Sequence, residues 1–217
     1  MNIRKTSNLN ICLNLIVLIL LLFNIIFLNS CNENGNTPLT PDYDYSLFPE
    51  EYEGLIKNKQ VYFTSIGQST DIDTFRILVL DNFDSFDYIF DKDITIDEIQ
   101  ENSIVFVFVG CSVKALGESG TSIEDELNRT NNLINQLNSK NITMIGLHTG
   151  GQARRGSTSN QFIEKIFSNS SLNIFVESGN FDNMLTTLSV ENNIKCYQII
   201  TVTELNNTIK LLNGVKE

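Results

Sequence analysis

From residue 60 onward, short apolar runs alternate with stretches in which apolar residues recur every three or four positions. Val61-Tyr-Phe-Thr-Ser-Ile66 reads as a strand that stops at Gly67. Asp71 to Leu80 places Ile72, Phe75, Leu78 and Val79 on one helical face. Phe86-Asp-Tyr-Ile-Phe90 alternates as a half-exposed strand does, and Thr95-x-x-Glu98 offers a capping box for a short helix. Ile104-Val-Phe-Val-Phe-Val109 is apolar on both faces, the pattern of a central parallel strand covered by helices. A Gly/Ser-rich loop follows. Ile123 to Ser139 then carries Ile123, Leu127, Ile134 and Leu137 on one stripe, and Asn141 to His148 reads as a further buried strand. The remaining pattern predicts helix over 161–167, strand over 172–176, helix over 181–190, strand over 196–200 and helix over 202–212.

Six strand–helix alternations with short connections predict a single three-layer α/β/α domain around a mostly parallel sheet of five to six strands joined by right-handed crossovers. The polar second strand suits an edge and the third suits the centre. That favours the order 2-1-3-4-5-6, flavodoxin-like or more broadly Rossmann-like, over 3-2-1-4-5-6.

The first thirty residues follow a different rule. Arg4 and Lys5 precede an almost unbroken run of Leu, Ile, Val and Phe from Ile11 to Leu28, and Leu28-Asn29-Ser30-Cys31 closes it. A basic start, an apolar run and a small residue make a secretory signal. The cysteine that follows resembles the bacterial lipobox, which implies that residues 1–30 are a signal peptide. It also implies that Cys31 becomes the lipidated, palmitate-bearing N-terminus of an exported, membrane-anchored lipoprotein. The run is also long enough to span a bilayer as an uncleaved helix. Either reading places the rest of the chain outside the cytoplasmic membrane, in the cell envelope. Residues 31–59 then form the lipidated N-terminus and a polar tether, and 60–217 the folded domain.

Composition narrows the partners. The whole chain carries formal charge −11; without Arg4 and Lys5 the count is 13 − 26 = −13. So negative a chain is a poor fit to nucleic acid, whose binding depends on clustered Lys and Arg. Of four cysteines, Cys12 leaves with the signal and Cys31 takes lipid. Cys111 and Cys196 then fall on different strands, so neither a disulfide framework nor a zinc site is expected.

In an open parallel sheet ligands bind beyond the carboxyl ends of the strands, at the point where the order reverses. The loops there are unusual in composition: Gly67-Gln68-Ser69 after strand 1, Gly110-Cys111-Ser112-Val113-Lys114 after strand 3, His148-Thr149-Gly150-Gly151-Gln152-Ala153-Arg154-Arg155 after strand 4, and Glu177 after strand 5. Glycines let backbone N–H groups approach a ligand, though turns demand them anyway. Lys114, Arg154 and Arg155 supply positive charge in a negative chain, or form ordinary surface pairs. One of the two adjacent arginines is expected to face the cleft; the sequence leaves open which. His148, the single histidine, is either a hydrogen-bonded structural residue or a base for Cys111 or Ser112. Glu177 is placed to orient a bound group or His148.

No Gly-x-Gly-x-x-Gly follows strand 1, and no Gly-x4-Gly-Lys-Ser/Thr loop or Gly-x-Ser-x-Gly elbow occurs. No cofactor and no metal is therefore expected, and the reading leans away from an enzyme. The motifs Thr64-Ser-Ile-Gly-Gln-Ser69, Val109-Gly-x-Ser-x-Lys-x-Leu-Gly117, Ile123-x-Asp-Glu-Leu127 and His148-x-Gly-Gly-x-Ala-Arg-Arg-Gly156 resemble a bacterial family of exported domains of unknown function. The resemblance runs from about residue 60 to 212. It implies a Rossmann-like exported domain with these loops as its site, and brings no activity with it. The expected function is a tethered binder of a small anionic molecule, accessory to uptake or sensing with another envelope or transport protein as partner. The rival is a hydrolase or transferase using Ser112 or Cys111 with His148.

Overall fold

A computed structural model of the chain describes residues 43–80 and 86–215. The signal segment, Cys31 and the first part of the tether lie outside them. Six strands form one sheet: β1 (Val61–Ile66), β2 (Tyr88–Phe90), β3 (Ile104–Val109), β4 (Thr143–His148), β5 (Leu172–Val176) and β6 (Lys195–Ile199). Every pairing is parallel and the order is 2-1-3-4-5-6, the one that the apolar pattern favours. All six residues of β1 and of β3 are buried, whereas β2 is half-exposed, which is the central-versus-edge contrast that the two sequence patterns encode.

Six α-helices accompany the sheet: α1 (Asp71–Leu78), α2 (Val113–Ser119), α3 (Ile123–Ser139), α4 (Ser157–Phe167), α5 (Met184–Glu191) and α6 (Leu205–Leu212). Alternate residues of each strand feed two cores. Phe63, Phe106, Phe108, Leu147 and Ile174 pack with Ile72 and Phe75 of α1 and Ile209 and Leu212 of α6. Tyr62, Val105, Val107, Met144 and Phe175 pack with Leu133 and Leu137 of α3, Phe162 and Ile166 of α4 and Leu185 of α5. Helices therefore cover both faces, and the aromatic stack of Phe63 on Phe75 and Phe106, at 5.1 and 4.9 Å between centroids, fills the first core.

The structure departs from the periodicity in three places. The loop after β3 contains a helix, α2, which Ser112 starts by accepting a hydrogen bond from Ala115 N and Gly120 ends in the left-handed conformation (φ 72°). Only Leu116 of α2 is buried, so there is too little apolar periodicity to reveal it. On α3 the buried set is Glu126, Thr130, Leu133, Ile134 and Leu137, while Ile123 is exposed. A carboxylate thus stands at the head of the buried stripe. Finally, the folded body begins earlier than residue 60. Tyr43 Oη donates to Cys196 O, Gln198 N donates to Tyr45 O, and Phe48 stacks edge-on against Tyr197. Residues 43–48 thereby lie along β6 and satisfy part of an edge that would otherwise be open. Gly54 N and Ile56 N then donate to Leu211 O and Leu212 O at the end of α6. The polar stretch that reads as tether is, from Tyr43 on, part of the domain.

Candidate functional site

The sheet order turns between β1 and β3, and the loops leaving β1, β3 and β4 converge there. Contact between the first two is so close that it dictates residue type. Gly67 has φ 76°, and a Cβ on it would stand 1.8 Å from Gly110 O. Gln68 follows in the same left-handed region (φ 54°), and Ser112 N donates back to Gly67 O. Beneath this turn, the buried Glu126 accepts from Gly67 N at 2.7 Å and pairs with Arg129, whose Nη2 donates to Ser65 O. That pair clamps the end of β1 from below.

The turn delivers Asp71, the first residue of α1, to the strand ends. Its side chain is only 10% exposed and its Oδ2 is buried without a hydrogen-bond partner. Arg154 approaches the other oxygen, Nε to Oδ1 at 3.8 Å, and anchors itself by donating from Nη2 to Thr70 Oγ1 at 3.1 Å. The two meet over Gly150. A Cβ there would lie 2.2 Å from Arg154 Cγ and 2.5 Å from Asp71 Oδ2, so the arginine crosses the loop where no side chain obstructs it. Burial pushes the Asp71 carboxyl above the usual carboxylate range; His148, Arg154 and Ser69 pull it back without cancelling that rise. Ser69 Oγ accepts from Asp71 N at 3.4 Å, and in the loop after β4 the Thr149 hydroxyl is buried without a hydrogen-bond partner.

His148 is fully buried under Gly179. Its Nδ1 lies 3.0 Å from Val109 O and its Nε2 3.4 Å from Gly151 O. Carbonyls only accept, and burial holds the imidazole pKa down despite the Val109 carbonyl and Asp71, so the neutral ring donates from Nδ1. The candidate nucleophiles are engaged elsewhere. Ser112 Oγ caps α2, and Cys111 N is bound by Ser159 Oγ while burial and Glu126 push the thiol's pKa up, away from thiolate.

The three basic candidates separate. Arg154, with 47% of its side chain exposed, forms the lip of the crevice. Arg155 is 2% exposed. It donates to Asn160 Oδ1, Gly179 O and Asp182 and lies over the Phe181 ring, joining the loops after β4 and β5 as a brace. Lys114 stands in solvent on α2, 3.7 Å from Glu118 one turn on. Gln68 turns to Asp93, Gln152 is exposed, and Glu177 faces solvent at the start of a short turn (Glu177–Asn180), away from any role on His148. Gly151 (φ 62°) sits close under Ser178. Asp71 was not among the candidate residues. Its signal in the sequence was an acid at a helix start, which is a commonplace.

A sequence model of a domain of unknown function, DUF6305, matches residues 58–213. The chain belongs to that family. The DUF6305 match begins just before β1 and ends just after α6, so it contains the whole crevice. No curated protein and no solved structure matches the sequence.

In the DUF6305 domain, then, the switch point holds a buried acid with a free oxygen, an arginine laid across it, and glycines that let the two approach. Open clefts among the described residues that lie away from it include two. One of about 630 Å³ is at the amino ends of the strands beside Lys57, Gln60 and Asp87; the other, about 400 Å³, is between Asp93–Thr95 and α3. The arrangement at the switch point can exchange hydrogen bonds and charge with a small polar molecule once Arg154 moves aside.

Proposed function

We propose that this protein is an exported, lipid-anchored binding module that takes a small anionic ligand at the carboxyl ends of its parallel strands, as an accessory to uptake or sensing. The observation that carries the reading is Arg154. It is a half-exposed guanidinium held by one hydroxyl and one distant carboxylate, at the point where such sheets bind ligands. Its remaining donors suit a planar anionic group. Ser69, Gly150 and Gly151 line the approach, while Arg155 keeps the rim rigid from behind. The partner that receives the ligand is an envelope or transport protein, in keeping with an exported location.

Native mass spectrometry of the full-length protein, purified in mild detergent from the producing cell, tests the reading. A small anion should accompany the wild type and be lost from Arg154→Ala, while Lys114→Ala keeps it. Retention by Arg154→Ala would exclude the site. The anchor is tested separately: metabolic labelling with palmitate should mark the wild-type chain and leave Cys31→Ala unlabelled.

A further inference from the structure

The pairing of Asp71 with Arg154 restricts the ligand further. Asp71 Oδ2 is buried and has no partner, and Asp71 Oδ1 has Arg154 Nε at 3.8 Å as its compensating charge. An anion that drew Arg154 outward would leave a buried carboxylate without its counter-charge, and breaking a buried pair from one side is strongly unfavourable. A ligand with only a positive charge would be attracted to Asp71 and repelled by the guanidinium across Gly150. The exchange balances when one molecule brings both charges as substituents of one carbon atom. Its anion then takes the guanidinium and its cationic donor takes the carboxylate, at a spacing of the order that already separates Arg154 from Asp71. We propose that the ligand is a free α-amino acid, with its carboxylate on Arg154 and its ammonium on Asp71.

This rests on the binding-module reading and narrows it. The four residues involved are on three different loops: Asp71 on the β1–α1 turn, Gly150 and Arg154 after β4, and Gly110 after β3, whose own missing Cβ would lie 3.8 Å from Asp71 Oδ2. Ser69 adds a hydroxyl beside the ammonium position. Arg154 changes partners on binding, so its departure from Thr70 Oγ1 is part of the same event.

Calorimetric titration of the full-length protein in detergent distinguishes the possibilities, with pools of the common α-amino acids, acetate, lactate, inorganic phosphate and methylammonium as probes. At least one amino acid should bind at least about tenfold more tightly than any of the four simpler ions. Asp71→Asn should weaken that amino acid by about tenfold or more while strengthening acetate, whose binding no longer strands a buried carboxylate, and Arg154→Ala should abolish both. Acetate, lactate or phosphate binding as tightly as the amino acids would overturn the zwitterion and leave the anion site standing. So would an Asp71→Asn variant that keeps full amino-acid affinity. If neither anions nor amino acids bind, both readings fall together. Asp71→Asn preserves shape and removes a buried charge, and a circular dichroism melt confirms that it folds.

Discussion

Gly67 and Asp71 illustrate how different the demands on single residues are along one short turn. Gly67 is fixed by geometry. Its positive φ and the 1.8 Å approach of Gly110 O leave no room for a side chain. Gly67→Ala should therefore cost more than about 3 kcal/mol in a denaturant titration, well above an ordinary Gly→Ala change at a compatible site. Asp71 is set by its surroundings: burial raises its pKa against the pull of His148, Arg154 and Ser69. An acid whose folded pKa lies above its unfolded value binds more protons when folded, so stability falls as pH rises from the unfolded value, about 3.9, through the folded one. Asp71→Asn removes that loss. It should raise the melting temperature at neutral pH and lose its advantage below about pH 4, which melts across a pH series read directly. The glycine was legible in the sequence as a turn residue. The aspartate was not, because neither its burial nor its opposing arginine is a local property.

Among the elements, α3 has the most to explain. Its buried stripe begins with Glu126, an acid that apolar periodicity alone would place in solvent. The residue stays inside because Arg129, one turn along, neutralises it and because Gly67 N needs an acceptor. Glu126→Ala should cost about 3–5 kcal/mol, the usual result of stranding one member of a buried ion pair, and hydrogen exchange should show the end of β1 loosening first. Glu126 holds the backbone N–H of Gly67, one of the candidate ligand-binding residues. It positions the β1–α1 turn, and through it Asp71. Helix α2 shows the opposite case. Ser112, singled out for chemistry, caps that helix, and Lys114 lies along its solvent side.

For the whole molecule, the strand order could be read in advance because it follows from hydrophobicity. A strand apolar on both faces must be central and a half-polar one must be an edge. What protects the far edge could not be read in this way. Tyr43, Tyr45 and Phe48 lie in a polar stretch with no strand pattern, yet they cover β6 and join the second core and the aromatic face of Tyr197. A chain that begins at residue 60 should therefore expose the β6 edge and self-associate, whereas one that begins at residue 43 should remain monomeric in light scattering. Residues 43–48 also connect the fold to whatever lies upstream. Tyr43, the first described residue, lies at the amino end of β6, where Lys195 stands over its ring at 4.7 Å.

By itself the sequence determined the class of fold and favoured the strand order that the structure has. Those depend on alternation, periodicity and turn chemistry, which act between near neighbours. Only the tertiary structure decided which charges meet. Arg154 and Arg155 are adjacent in sequence and opposite in fate, one at the lip and one locked beneath Phe181 and Asp182, because the partners of each come from other loops. The pairing of Asp71 with Arg154 spans more than eighty residues of chain and exists because the sheet brings the ends of β1 and β4 to the same crevice.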